Sequence, residues 1–481
     1  MTHPSRMWLL QARLSVLIAI VGVGSLYGQT TANKDLLPDA PPTQLIAQAT
    51  TPAGSPSTAQ PPIAAANAST PSQGLRLTRT EAEQIAIKNN PRVTVGRLLA
   101  LAQHQVVRET RAAELPTAVA NITAEQAEEA SRVSAGSLTA SRLFEHAGAG
   151  ASVSLRITDF GKTQNLVASS KLREKAQNSN ALATTEDIVL ATDQAFYNAL
   201  QAQALLQVAQ QNVATRNTTQ IQISQLTKNK LKSTLDLSFA DVNLSQARLL
   251  QLDAENNAAS TIAALDEVLG LDREIAYTLV DDDVALQPPP PDPEQLIQLG
   301  LQQRPDLRAL NYDQQAAVKF SHAERDQMLP TISALGTVGS VPIRPAAYYL
   351  QNWWGGVGVN VDIPIFNGFL YSAQAKEATI RSQASAEQAR GLRDRIVRDI
   401  RTSWLAANTA YQRVGVSAEL LKQANLSLNL AQTRYQLGLS SIVELSQAQF
   451  QQTDAAIGNT NAQYQYKLAL ATLNYQIGTN P

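Results

Sequence analysis

The 481-residue sequence contains no cysteine, which excludes disulfide bonds, thiolate metal sites and lipids attached through cysteine. Its 4 histidines have none of the spacings that are typical of metal ligands. Charged residues make up only 16% of the chain, and the 39 Lys and Arg almost balance the 40 Asp and Glu, so no nucleic-acid-binding signature is present. Because the sequence also lacks a phosphate loop and any catalytic motif, we expect no cofactor, no metal ion and no enzymatic activity. The histidines are His3, His104, His146 and His322.

Long hydrophobic segments are absent as well. The one apolar run, Leu14 to Leu26, follows Arg6 and Arg13, and its thirteen residues are fewer than the ~20 that a membrane-spanning helix needs. This pattern predicts an export signal peptide over residues 1–28, with a membrane anchor as the alternative. Residues 29–74 are rich in Pro, Ala and Thr without apolar periodicity, which predicts a disordered leader.

The rest of the chain is an internal duplication. Pro91 and Leu115-Pro116 recur as Pro305 and Leu329-Pro330, 214 positions later. A second group recurs at an offset of 208 positions: Ser233, Asp236, Leu237, Ala240, Leu265 and Gly270 correspond to Ser441, Glu444, Leu445, Ala448, Leu473 and Gly478. This predicts two copies of one structural unit, at residues 75–280 and 293–481. The linker between them, 281–292, combines three aspartates with a polyproline run, which we interpret as a solvated connection rather than a metal site.

Each repeat has the same predicted order of elements. A short helix ends before Pro91 or Pro305, a helix of about 24 residues follows, and after an extended region come a very long helix and a helix that ends near Gly270 or Gly478. The long helices, about 162–229 and 369–436, contain no proline and would each extend on the order of 100 Å. The first carries a face of small and apolar residues at coiled-coil spacing: Ile188, Ala191, Ala195, Ala199, Ala202, Leu206, Ala209 and Val213.

The extended regions alternate between apolar and polar or small residues. In the second repeat Val357, Val359, Val361, Ile363 and Ile365 are the apolar set, and in the first repeat Val153, Leu155 and Ile157. Period-two patterning over about ten residues is typical of a transmembrane β-strand. Opposing strands are predicted at 117–128 and 331–341. Aromatic residues near the strand ends suit an interfacial girdle: Tyr348, Tyr349, Trp353, Trp354, Phe366 and Phe160.

One hairpin in each repeat gives four strands, and an open four-stranded sheet is not stable in lipid. Its edges would leave backbone groups without hydrogen-bond partners, and barrel closure needs at least ~8 strands. The chain is therefore predicted to complete its barrel with copies of itself. This reasoning leaves dimer, trimer and tetramer open.

The residues resemble the TolC-like outer-membrane efflux proteins over about Leu75 to Gly478. The resemblance rests on the duplicated helix–hairpin–helix plan, on the junctions Asp159-Phe160-Gly161-Lys162 and Phe366-Asn367-Gly368, and on the stretch Arg434 to Gln449. It implies a mainly α protein that is a homotrimer, with a twelve-stranded outer-membrane β-barrel continued by an α-helical coiled-coil tunnel in the periplasm. It also implies that the shorter helices stack end to end alongside the long ones.

The function implied by the resemblance is that of a passive exit duct of an efflux or type I secretion system. The partners would be outer-membrane lipid, a periplasmic adaptor protein and an inner-membrane transporter. The alternative is a trimeric coiled-coil surface protein anchored by a β-barrel, but hairpins that interrupt both repeats favour the duct. A periplasmic adaptor would require further β-domains.

The same resemblance suggests where a periplasmic gate would lie. Glu444 occupies the position of an acidic ring, the alternative being a solvated charge, and Gln447 stands where many relatives carry a second acid. Asp236 and Tyr435 match positions that hold neighbouring helices together. Lys230 replaces an expected glycine, which leaves the shape of its turn open and adds a charge to the gate. The adaptor-docking tip would comprise Gly438, Leu439, Ser440, Ser441 and Ser233.

Overall fold

The computed structural model describes residues 75–125, 132–133, 141–142, 146–271, 277–281, 286–343 and 353–478. The predicted signal peptide and leader lie outside the described residues, as do Tyr348 and Tyr349 of the predicted girdle.

Helices form the greater part of the protein, and the order predicted for each repeat is confirmed. In the first repeat they are α1 (Arg79–Asn89), α2 (Pro91–Ala112), α3 (Lys162–Lys228) and α4 (Thr234–Leu269). In the second repeat they are α5 (Pro293–Gln303), α6 (Pro305–Asp326), α7 (Leu370–Gln436) and α8 (Ile442–Ile477). The long helices α3 and α7 each have 67 residues. Among the described residues no helix combines the length and the apolar character needed to cross a membrane.

The shorter helices stack end to end, as the resemblance implied. Asn90 caps the start of α2, accepting from the backbone of Arg92 at 2.9 Å, and its amide nitrogen donates to the carbonyl of Val268 near the end of α4, at 2.8 Å. Gly270 closes α4 with φ of 67°, and a Cβ there would lie 2.9 Å from the carbonyl oxygen of Asn89. In the second repeat Arg304 lies between α5 and α6 and contacts Gly478 at the end of α8.

The duplication extends to the hydrophobic core at this helix–helix joint. Ile188, Leu265 and Leu269 are buried in the first repeat. Their counterparts at an offset of 208 positions, Ile396, Leu473 and Ile477, are buried in the second. Equivalent helix faces therefore pack in equivalent ways. The predicted small-residue face of α3 is buried or half-buried along its length, which confirms that it is a packing surface.

The four main strands form one antiparallel sheet in the order β2 (Thr117–Glu125), β5 (His146–Thr158), β7 (Thr331–Ile343) and β8 (Trp353–Asp362). The two repeats join through β5 and β7, where Val153 pairs with Gly336. One face is apolar yet exposed, with Val357 94% and Val359 66% accessible. Within the part of the chain that the structure describes, the outer strands β2 and β8 each pair on one side only. An exposed apolar face on a sheet with two free edges is incomplete as a single chain.

The adjacent tryptophans of β8 lie on opposite faces of this sheet. Trp353 has the same parity as Val357 and is on the apolar face, 70% exposed. Trp354 is opposite Gly339, and its indole lies so close that a Cβ on Gly339 would be 2.5 Å from it. Of the two, only Trp353 therefore lies on the face suited to a lipid girdle, whereas Trp354 covers glycines on the polar face.

The junctions between strand and long helix are fixed by polar contacts. Asp159 is buried and accepts hydrogen bonds from the backbone and hydroxyl of Thr163 in the first turn of α3. The amide of Asn165 donates to Asp326 at the end of α6, at 2.7 Å. Girdle candidates Phe160 and Phe366 are exposed here. These contacts attach the end of β5 to the first turn of α3, and α3 to the end of α6.

Two short strand pairs were not predicted. β1 (Leu75–Leu77) pairs in parallel with β6 (Tyr277–Leu279), and β3 (Arg132–Val133) pairs with β4 (Ser141–Arg142). β1 and β6 bring the beginning and the end of the first repeat together.

The prediction of a solvated linker is wrong at Asp281. This residue contacts Lys467 of α8 at 2.5 Å and accepts a hydrogen bond from Tyr464 at 3.1 Å. Farther along, the carbonyl of Pro290 accepts from the Trp404 indole at 2.7 Å. The described part of the linker is bound to the helices because these groups satisfy each other's charge and hydrogen-bonding capacity. Asp282 and Asp283 lie outside the described residues.

Candidate gate at the helical tip

The helical end remote from the sheet consists of two turns, residues 229–233 between α3 and α4 and residues 437–441 between α7 and α8. Gly438 has φ of 73°, and Lys230, at the equivalent position 208 residues earlier, has φ of 61°. The amide of Leu231 bonds to the carbonyl of Leu226 at 2.9 Å, and that of Leu439 to Arg434 at 2.8 Å. The two turns thus have the same shape, although Lys230 adopts a left-handed conformation that favours glycine.

Serines begin the helix after each turn. The Ser233 hydroxyl accepts from the amide of Leu235 at 3.1 Å, and the Asp236 carboxylate accepts from the amide of Ser233 at 3.4 Å, forming a capping box. Ser441 caps α8 by accepting from the amide of Glu444 at 3.4 Å. Both acids therefore lie in the first turn of a helix, where the helix dipole favours negative charge.

Glu444 forms an ion pair across the turn. Its Oε1 lies 3.2 Å from Nε of Arg434, and the two side chains are 44% and 56% exposed. Gln447, one turn farther along α8, lines the same groove of about 520 Å³ between α7 and α8. The groove therefore presents one carboxylate with a guanidinium beside it, and the neutral amides of Gln423, Gln447 and Gln451.

Tyr435 is buried, although its ring carries a polar hydroxyl. It packs with Ile223, Ala240, Ile442 and Leu445, which form the tip cluster. Its hydroxyl has no hydrogen-bond partner among the described residues. Burial, assisted by the nearby Asp236 carboxylate, raises the pKa of the phenol.

A lysine that the sequence reasoning missed completes this arrangement. The ammonium of Lys232 lies 4.2 Å from the centroid of the Tyr435 ring, within cation–π distance. Lys230 is exposed at the turn and has no ion pair with any described residue. The structure therefore brings Tyr435 close to Asp236 and Lys232, and pairs Glu444 with Arg434. In the sequence, the position of Arg434 beside Tyr435 in the tip motif indicates a role at the tip. Only the turn geometry identifies Glu444 as its partner.

The turns expose an unusual amount of apolar surface. Leu231, Leu235, Leu437 and Leu439 are between 62% and 69% exposed. Close by, the hydroxyl of Ser440 is buried without a hydrogen-bond partner in the described part of the protein. Leucines that are exposed at or beside both turns are typical of a contact surface.

A second concentration of charge lies at the joint between the stacked helices, and we call it the waist cluster: Glu186, Asp187, Arg304, Asp306 and Tyr475. Arg304 is bidentate to Asp306, at 3.0 and 2.6 Å. The Tyr475 hydroxyl donates to Asp187 at 2.5 Å. Desolvation raises the pKa of Glu186 to about 7, while Arg304 opposes this shift. Within the described residues, no group of His, Asp and Glu is arranged to hold a metal ion.

Comparison with known proteins finds sequences and structures that resemble this chain. The sequence profile of the family described as "Outer membrane efflux protein" matches residues 296–479. The chain is 24% identical to outer membrane protein TolC of Salmonella enteritidis over 123 residues, 26% of this chain and only 25% of that protein. It is 23% identical to outer membrane protein TolC of Escherichia coli (strain K12) over 357 residues, 68% of this chain and 70% of that protein.

A solved structure agrees with these sequence matches. The structure of CusC superimposes on this chain with a TM-score of 0.73 at 18% sequence identity. That structure was described in connection with folding and transmembrane channel formation. The match covers 84% of this chain and 93% of that chain. At this identity the likeness establishes a common fold.

Proposed function

We propose that the chain is a TolC-like outer-membrane efflux protein, located in the outer membrane and extending into the periplasm, and that three copies form one passive duct. Such a duct is a channel and not an enzyme. We propose further that the duct serves an efflux or type I secretion system whose energy comes from an inner-membrane transporter, through a periplasmic adaptor.

The single observation that carries this proposal is the unfinished sheet on top of the long helices. Its apolar face is exposed, and among the described residues its outer strands β2 and β8 are each unpaired on one side. If β8 of one protomer pairs with β2 of the next, three protomers give twelve strands, which exceeds the ~8 needed for closure. The same rotation sets α3 and α7 of each copy side by side around one axis. The result is a barrel continued by a helical tube.

The gate would lie at the tip. In a trimer the three Glu444 carboxylates surround the axis and attract cations, while each is partly neutralised by Arg434 at 3.2 Å. Tyr435 and Asp236, with Lys232 against the ring, are placed to hold the two hairpins of a protomer together. Opening would require these contacts to rearrange as the hairpins realign.

Adaptor docking would use the exposed leucines of the two turns. Gly438 and Lys230 give both turns one shape, so a trimer presents six similar apolar tips. Ser440, whose hydroxyl is buried without a partner among the described residues, would have to rotate outward to bond to the adaptor backbone. Ser233 and Ser441, in contrast, are engaged as helix caps, so their contribution would be to hold the turn shape.

The test combines native mass measurement of the detergent-solubilised mature protein with single-channel recording in a planar bilayer. We expect a particle of three chains that conducts ions. A monomer that neither inserts into lipid nor conducts would refute the proposal.

The gate is tested separately through ion selectivity. Glu444→Gln is expected to lower cation selectivity because it removes the ring charge, and Arg434→Gln to raise it because it removes the neutralising partner. Glu109→Gln, at an exposed position of α2 distant from the tip, is the matched control. Selectivity that is unchanged in both tip variants, with conduction intact, would exclude the acidic ring but leave the duct itself standing.

A further inference from the structure

Arg216 of α3 is a buried cation without a carboxylate partner. Only 8% of the residue is exposed. Its Nε donates to the Asn212 side-chain oxygen at 3.2 Å, and Nη1 donates to the side-chain oxygen of Gln449 of α8 at 2.5 Å. Both acceptors are neutral amides. Among the described residues no acid forms an ion pair with this guanidinium.

The guanidinium also retains hydrogen-bonding capacity. Arginine has five N–H groups, and the described contacts of Arg216 use two of them. A buried charge that lacks both an opposite charge and full hydrogen bonding is unfavourable. Burial accordingly lowers the pKa of Arg216, and no acid opposes that effect. Arginine nevertheless stays protonated in proteins, so its charge requires another source of compensation.

A cavity adjoins this side chain. It has a volume of about 150 Å³ and lies between α3, α7 and α8. Its polar lining consists of amides and hydroxyls, including Thr215, Gln452 and Thr453, and Arg216 is the one ionisable group that lines it within the described residues. The volume is several times the ~10–15 Å³ needed to hold one water molecule. It is therefore large enough for a small ion with water around it.

We propose that this cavity binds a small monovalent anion, chloride or a short carboxylate, against the guanidinium of Arg216. One uncompensated positive charge requires one negative charge, which favours a monovalent ligand over sulfate. Side-chain amides complete the coordination by donating N–H groups, because the hydroxyls of Thr215 and Thr453 already donate to the carbonyls of Gln211 and Gln449.

The bound anion would join the two repeats. Arg216 belongs to α3 of the first repeat, whereas Gln449 and Thr453 belong to α8 of the second. Gln449 lies seven residues into α8, about 10 Å above the tip. The anion would thus stabilise the contact between the two helical hairpins just above the gate, independently of what the duct exports.

The first experiment needs no variant. Crystals of the full-length protein are soaked in sodium bromide, and an anomalous difference peak is sought against the Arg216 guanidinium. A peak there supports the site. A cavity without a peak, or one filled by a carboxylate from a neighbouring protomer, would overturn it.

The second experiment measures thermal unfolding at constant ionic strength in chloride, acetate, sulfate or gluconate, the last being too large for the cavity. The wild-type midpoint should rise in chloride relative to gluconate. Acetate distinguishes a carboxylate site from a halide site. Sulfate raises midpoints by its exclusion from protein surfaces, so its effect should be the same in the wild type and in Arg216→Gln. Arg216→Gln should lose the dependence, while Arg248→Gln, which removes an exposed arginine of α4, should keep it. Equal wild-type midpoints in chloride, acetate and gluconate would overturn the proposal.

Discussion

The waist cluster predicts that one carboxyl group makes stability depend on pH. Glu186 of α3 is half-buried, and desolvation raises its pKa from 4.5 to about 7. Asp306 and Asp187 add to the shift, while Arg304 and Arg308 oppose it. Burial dominates because Arg304 is already bound to Asp306, at 3.0 and 2.6 Å.

The sign follows from proton binding in the two states. Below pH 4.5 the carboxyl is protonated in both the folded and the unfolded chain, so it contributes no pH dependence. Between 4.5 and about 7 the folded chain retains the proton and the unfolded chain does not, so stability falls as pH rises. Above that range both states are ionised and the loss is complete.

The magnitude follows from the same shift. One pKa unit corresponds to about 1.4 kcal/mol, so the full displacement corresponds to about 3 kcal/mol per protomer. Solvent at this half-buried group screens its charge, which reduces the expected effect to about 1–2 kcal/mol. Glu186→Gln removes the ionisation, and it should therefore stabilise the protein at about pH 8 and have little effect at about pH 4.

The assay is guanidinium unfolding followed by helical circular dichroism, on the detergent-solubilised protein across this pH range. Glu109→Gln, on the exposed face of α2, controls for loss of a carboxylate. A Glu186→Gln effect of equal size at both ends of the range would refute the assignment. A wild-type stability that did not fall between pH 4.5 and about 7 would do the same.

Three further substitutions test the turns and joints. Lys230→Gly should stabilise the protein by about 0.5–1 kcal/mol, because relief of the left-handed lysine outweighs the entropy that glycine adds to the unfolded chain. Lys228→Gly, within α3, should destabilise the protein. Equal denaturation midpoints for the two variants would contradict this. Tyr435→Phe should favour the open channel if the hydroxyl helps to close the gate in the trimer, and unchanged closed times in bilayer recordings would remove Tyr435 from the gate. Gly270→Ala places a Cβ 2.9 Å from the Asn89 carbonyl and should lower the unfolding temperature. Gly458→Ala, where a Cβ meets nothing within 4 Å, should not lower it, and a similar loss in both would contradict the steric explanation.

Much of the fold could be predicted because proline and periodicity mark its elements. Pro91 and Pro305 define helix starts, and valines alternate from Val357 to Val361 in β8. β1 was missed because three residues, Leu75–Leu77, are too few for periodicity to appear. The opposite orientations of Trp353 and Trp354 were predictable from the same alternation, since adjacent residues of a strand lie on opposite faces.

The site was harder to predict because its contacts depend on turns and on neighbouring helices. The Arg434–Glu444 pair forms only when the chain reverses direction between α7 and α8. Lys232 reaches Tyr435 across two hairpins that are remote in sequence. Arg216 lies in a polar stretch of α3 and looks like a solvated charge in the sequence, because only the packing of α8 against α3 removes it from water.

The differences between the two repeats indicate where special roles reside. Positions that are apolar in both repeats, such as Ile188 and Ile396, build equivalent cores, so the two repeats pack alike there. Arg216 has the buried Ala424 as its counterpart at an offset of 208 positions. Arg304 precedes α6 without capping it, and its counterpart at an offset of 214 positions is Asn90, whose side chain caps α2. In each pair the arginine adds a buried charge that its counterpart does not carry, and in each case the charge lies where α3 meets α8. Since packing alone would be satisfied by the uncharged residue, both arginines are explained by their polar contacts to α8, which are Gln449 for Arg216 and Gln476 for Arg304.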